Sequence, residues 1–150
     1  MDWLGPGELR VGLGCMRLST DEERDDRRAL ETIAAAAEAA IRVFDTAHSY
    51  GRDENEVGHN EGLVARAVRE SGSGDGTRIV TKGGMRRSYT AWVPDGRARS
   101  IRADCEASLA ALDGQPVDLY LLHAPDPRTP WRTSVPVSYT HLTLPTNSRV

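Results

Sequence analysis

Four residues of this 150-residue chain, Asp45, Tyr50, Lys82 and His123, form a set that can handle a proton. Lys82 is the only lysine, and the other 18 of the 19 basic residues are arginine, as a GC-rich coding sequence favours. Arginine does not usefully release its proton, whereas lysine is a compact charge that can sit beside a phenol and tune it. A free tyrosine, with a pKa of about 10, is a weak acid at neutral pH. An ammonium beside it favours the phenolate and eases proton transfer. An aspartate paired with the ammonium keeps it charged and in place. A histidine can hydrogen-bond a carbonyl oxygen and fix its direction. Carbonyl reduction also needs a hydride, which no side chain donates, so a cofactor has to supply it. Singly, each residue has an ordinary structural use: Asp45 as a cap or turn residue, Tyr50 as loop packing, Lys82 as a solvated strand end, His123 as a hydrogen-bonded, partly buried histidine.

The joint arrangement depends on the elements that carry these residues. Leu9 to Leu13 is a short apolar-rich run ending at Gly14. Thr20 with Glu23 reads as a capping box, and alanine-rich Ala29 to Ala40 continues that helix. Ile41 to Phe44 reads as a strand ending at Asp45. Glu54 to Glu70 has helical composition, with Leu63, Val64, Ala67 and Val68 on one stripe. Residues 71–76 are a loop, and Ile79 to Thr81 is a strand ending at Lys82. A longer loop, Gly83 to Gly96, precedes a helix over Ala98 to Leu112 that Gly114 stops. Val117 to Leu122 is a strand ending at His123. Asp45 and Lys82 are 37 residues apart, and Lys82 and His123 are 41 apart. Each interval holds one loop, one helix and one strand, which indicates βαβ units and a parallel sheet. The chemistry then collects at strand carboxyl ends. Both a (β/α)8 barrel and a doubly wound sheet bind ligands there, and the pattern alone leaves the two open.

Composition narrows the classes. Hydrophobic content of 39% and charged content of 27% suit a globular protein. No apolar run is long enough to span a membrane, and no basic-then-apolar leader is visible, so the expected location is cytoplasmic. The net charge of −3, with arginines interleaved among acids, argues against a nucleic-acid footprint. Cys15 and Cys105 have neither metal nor disulfide spacing and read as reduced thiols. His48 and His59 read as surface or helix residues, without a metal site. Asp126 and Arg128 read as shaping a turn.

Several blocks in order carry a resemblance: Val11-Gly12-Leu13-Gly14-Cys15-Met16; Phe44-Asp45-Thr46-Ala47 with Tyr50-Gly51 and Glu54-Asn55-Glu56; Thr81-Lys82-Gly83-Gly84; and Asp118 to His123. Over about Leu9 to Val135 the chain resembles the aldo-keto reductase family. The resemblance implies an α/β fold, the (β/α)8 TIM barrel, of which only about the first four βα units are present. It implies NADPH-dependent reduction of a small aldehyde or ketone. Tyr50 would be the general acid, Lys82 would tune it, Asp45 would support Lys82, and His123 would orient the carbonyl. Gly14, Cys15 and Met16, with Asp45, would lie beside the nicotinamide. In the loop with Arg86, Arg87 and Tyr89, Trp92 is the candidate wall of the substrate pocket. A non-catalytic, cofactor-binding channel-subunit-like protein of the same fold is the alternative.

The resemblance also sets expectations of absence. The family's later strands hold the adenosine and 2′-phosphate of NADPH, so the cofactor preference here follows family habit. Four strands do not close a barrel, and open edges invite association. The polypeptide as written is therefore expected to be inactive. Val137 to Thr146 resembles a translated transposon-end sequencing adapter. On that reading residues 1–136 are the N-terminal half of the barrel, and 137–150 form a non-native tail.

Overall fold

A computed structural model describes residues 3–72 and 76–142, with the side chains of 138–142 excepted. Four strands, β1 (Gly12–Gly14), β2 (Val43–Asp45), β3 (Arg78–Gly83) and β6 (Leu119–Leu122), form one sheet in the order β1-β2-β3-β6. All three pairings are parallel, with Gly14 opposite Asp45, Asp45 opposite Val80, and Lys82 opposite Leu121. Helices α2 (Asp26–Glu38), α3 (His59–Glu70) and α4 (Ala98–Ala111) link successive strands, and α5 (Trp131–Leu142) follows β6.

Strand alternation divides the work between the two faces. Phe44 and Ile79 turn toward the helices, where Ile33, Val64, Val68 and Leu112 cover them completely or almost so. Each such side chain contributes about 1.5–3 kcal/mol by leaving water. Tyr120 joins Ile101 and Cys105 in a second cluster beneath β6, against which Val137 also packs. The opposite face carries Asp45, Lys82, Leu119 and Leu121.

Three expectations about elements need correction. Thr20 does not cap α2. It ends a short helix, α1 (Arg17–Thr20), and its hydroxyl donates to the Met16 carbonyl. The cap is Asp25, whose carboxylate accepts the Arg28 amide at 3.1 Å. Helix α3 starts five residues later than its composition suggests. Gly58, at φ +81°, precedes it and donates its amide to the His48 carbonyl. Third, the stretch 83–96 is no plain loop. Strands β4 (Met85–Ser88) and β5 (Ala91–Pro94) form an antiparallel hairpin in which Arg87 faces Trp92. Its two-residue turn puts Tyr89 at φ +52°. Helix α4 ends where Gly114 foretold, that glycine taking φ +85°. Helix α5 runs across position 136 to Leu142, and residues 143–150 of the expected tail lie outside the described residues. Among the described residues no helix is long and apolar enough to cross a membrane.

Candidate active site

The carboxyl edge of the sheet brings the four expected residues together. Asp45 ends β2, Lys82 sits near the end of β3, and His123 directly follows β6, its amide donating to the Gly83 carbonyl. The Lys82 ammonium has three partners: Asp45 Oδ1 at 2.6 Å, the Thr46 carbonyl at 2.8 Å and the Tyr50 hydroxyl at 3.1 Å. The His123 ring stands edge-on to that of Tyr50, with centroids 5.4 Å apart, and its Nδ1 lies 3.4 Å from the Ser49 hydroxyl. Burial lowers the His123 pKa to about 4; the Lys82 charge adds to this, and Asp45 opposes it. The imidazole is therefore neutral at neutral pH.

Tyr50 is placed by a clamped loop. Glu56 takes Arg24 in a two-pronged pair at 2.6 and 2.9 Å and also accepts the Arg52 amide. Burial alone would raise the Glu56 carboxyl, but Arg52 and Arg24 hold it at about 2. Gly51 is obligatory in this turn, because a Cβ there would collide with the Glu56 backbone. Trp92 joins the site from the hairpin, its ring 6.1 Å from both Tyr50 and His123. Arg87, only 8% exposed, stacks on Trp92 at 4.1 Å and donates to the Arg52 carbonyl.

The expected cofactor residues divide. Gly14 and Met16 are exposed at the end of β1, and an added Cβ on Gly14 would meet open space. The Cys15 side chain turns the other way, into the core between sheet and helices. Its thiol is pushed up to about 12, by burial first and then by Asp45. The whole residue is buried, its amide donating to the Asp45 carbonyl and its carbonyl accepting from the Asn60 side chain, so Cys15 is not brought to the candidate ligand side. His48 is not a surface residue. It is buried, between Glu61 and Asp104. His59 opens α3 and bonds Ser19 and Asp26. Asp126 and Arg128 do shape a turn, the carboxylate accepting the Gly96 and Arg128 amides. No cluster of metal-ligating side chains occurs among the described residues.

Sequence reasoning placed Arg87 in the pocket loop without its stacking on Trp92, and it missed Ser49 and the buried group around His48. One signal was available. Glu61 stands three residues before Val64 and seven before Val68, so a charge lies on the apolar stripe of α3.

Parallel strands in sequential order, with α2, α3 and α4 all packed on one face and the polar cluster at the carboxyl edge, are the architecture of a (β/α)8 barrel rather than of a doubly wound sheet, here its first four strands. The chain belongs to the aldo/keto reductase family, whose family profile matches residues 10–144. Aldo-keto reductase YhdN of Bacillus subtilis is 31% identical over 123 residues, 81% of this chain and 36% of that protein. A Mycobacterium tuberculosis aldo-keto reductase is 37% identical over 117 residues, 78% of this chain and 34% of that protein. The holo form of an aldo-keto reductase from Bacillus halodurans superposes with a TM-score of 0.68 at 29% identity, covering 85% of this chain and 40% of that one. The chain thus spans little more than a third of the curated relatives' length.

Proposed function

We propose that this chain carries the proton-transfer half of an NADPH-dependent carbonyl reductase acting on a small aldehyde or ketone in the cytoplasm. The observation behind this reading is the Lys82 ammonium, held between Asp45 and the Tyr50 hydroxyl at the strand carboxyl ends. Tyr50 gives its phenolic proton to the carbonyl oxygen. Lys82, at 3.1 Å, stabilises the phenolate that remains. Asp45 and the Thr46 carbonyl hold the ammonium in place. His123, neutral and facing the Tyr50 ring, directs the substrate oxygen. Trp92 walls the substrate on the hairpin side. NADPH, when bound, supplies the hydride. The open space at Gly14 beside exposed Met16, on the strand next to Asp45, fits a flat nicotinamide ring.

We further propose that turnover belongs to the closed barrel, that residues 1–136 are its first half, and that 137–150 are a non-native tail. The assay is NADPH oxidation with a generic aldehyde. The 150-residue chain is expected to show no rate above background, and a clear rate overturns that part. In a protein extended to eight strands, Tyr50→Phe is expected to lose about 10²–10⁴-fold in kcat, the usual worth of a positioned acid. Unchanged kcat would remove Tyr50 from its role.

A further inference from the structure

On the helix side of β3, behind Lys82, lies a second polar cluster that this chemistry does not use. Glu61, in the first turn of α3, is fully buried, and one of its oxygens accepts the Thr81 hydroxyl at 2.5 Å. Its other oxygen has no hydrogen-bond partner. It lies 3.9 Å from His48 Nδ1, which has none either. Across the ring, His48 Nε2 lies 3.8 Å from Asp104 Oδ1 on α4. Asp104 accepts the Gly84 amide with its other oxygen at 2.8 Å. His48 donates its own amide to the Lys82 carbonyl at 3.2 Å. One buried cluster, drawn from the loop after β2, from α3 and from α4, therefore grips Thr81, the Lys82 peptide and Gly84.

Buried charge is costly when incompletely paired, and an apolar filling would pack the same space more cheaply. Burial raises both the Glu61 and Asp104 carboxyls. The Thr81 hydroxyl draws Glu61 partly back, and the Gly84 amide does the same for Asp104. The cluster therefore changes charge above the ordinary carboxylate range. On the other face of β3, His123 feels the Lys82 charge and titrates at about 4, within the ordinary carboxylate range rather than above it. Cys105 on α4 and Tyr120 on β6 are raised by burial and stay neutral, and Arg97 holds Asp95 ionised at about 2.

We propose that His48, Glu61 and Asp104 are positioning residues for Lys82, and that the charge on this cluster sets how the ammonium is presented to Tyr50. The inference rests on the role given to Lys82 above. Its test does not need turnover. Because Lys82 is the only lysine, a chain labelled with [13C]lysine gives one Cε signal that needs no assignment. Followed with pH in the 150-residue chain, that signal is expected to show a step above the ordinary carboxylate range. The step should survive Asp45→Asn and disappear in Glu61→Gln, which keeps an acceptor for Thr81 but removes the charge. Asp104→Asn keeps an acceptor for the Gly84 amide and removes the cluster's other raised carboxyl, so it should also shift or shrink the step, and it decides the matter if circular dichroism shows Glu61→Gln unfolded. A step unchanged in both cluster variants, or lost in Asp45→Asn, would overturn the proposal. Absence of carbonyl reduction by an eight-stranded protein would instead sink the reductase reading and leave this signal untouched.

Discussion

Replacing Lys82 by methionine keeps most of the side-chain stem and removes the ammonium from three partners at once. Two unit charges 4 Å apart attract by about 4 kcal/mol at the effective dielectric of a protein surface. Net values are smaller: about 0–1 kcal/mol for an exposed pair, and about 3–5 kcal/mol when a buried pair loses one member. This pair lies between those limits, with the Lys82 side chain 13% exposed and that of Asp45 40% exposed. Water can take over the carboxylate, but the Thr46 carbonyl belongs to a fully buried residue and is left short of a donor. Lys82→Met is therefore expected to cost about 1–3 kcal/mol, of which the Asp45 pairing supplies roughly 1 kcal/mol. Urea unfolding followed by circular dichroism measures both quantities when Lys82→Met, Asp45→Asn and the double variant are compared. A coupling energy within about 0.3 kcal/mol of zero would show that the two residues do not support one another, and the reasoning about the site would fall with it.

The pH response of His123 has a definite sign. Its folded pKa of about 4 lies below the ordinary value of 6.5, so the unfolded chain binds its proton first. The His123 contribution to stability should fall as pH drops from about 6.5 to 4, read as the difference in urea midpoint between the chain and His123→Gln across the range, because the raised Glu61 and Asp104 carboxyls act in the opposite sense and are common to both. Asn60→Ala removes the donor to the Cys15 carbonyl and Ser19 hydroxyl and the acceptor for the Thr46 hydroxyl. A loss of about 3 kcal/mol is expected in thermal melts, and a loss under about 1 kcal/mol would mean that the pocket rehydrates. Gly83→Ala pushes a methyl group into the buried Tyr120 hydroxyl and should cost about 1–3 kcal/mol by overpacking. Tyr120→Phe in the same chain should recover part of that loss; no recovery would place the clash elsewhere.

The clustering of Asp45, Tyr50, Lys82 and His123 was readable because short apolar runs end at Asp45, Lys82 and His123, and strand period and chain spacing do not depend on distant contacts. The hairpin was not readable. Met85 to Pro94 lacks an Asn-Gly or Asp-Gly turn, and the left-handed position is taken by Tyr89, a residue that rarely adopts it. The α2 cap was hidden among the acids of 21–26, where several residues could serve and only tertiary placement selects Asp25. Cys15 was assigned to the right strand end, but the direction of its side chain follows from packing against Phe44 and Val64, partners remote in sequence. His48 was misjudged for a similar reason: its neighbours Glu61 and Asp104 arrive from two different helices.

The parallel registers also bear on how the site comes into being during folding. Asp45 meets Lys82 only after β2 has paired with β3, and His123 reaches Tyr50 only after β6 has joined β3. No two of these strands are joined by a tight turn, so each pairing closes a long loop before any contact repays the entropy. A nascent chain that has not yet released His123 from the ribosome therefore holds a lysine–aspartate pair without the histidine beside Tyr50. Within these four strands, the arrangement of Asp45, Tyr50, Lys82 and His123 is complete only after the last of these pairings, β6 on β3.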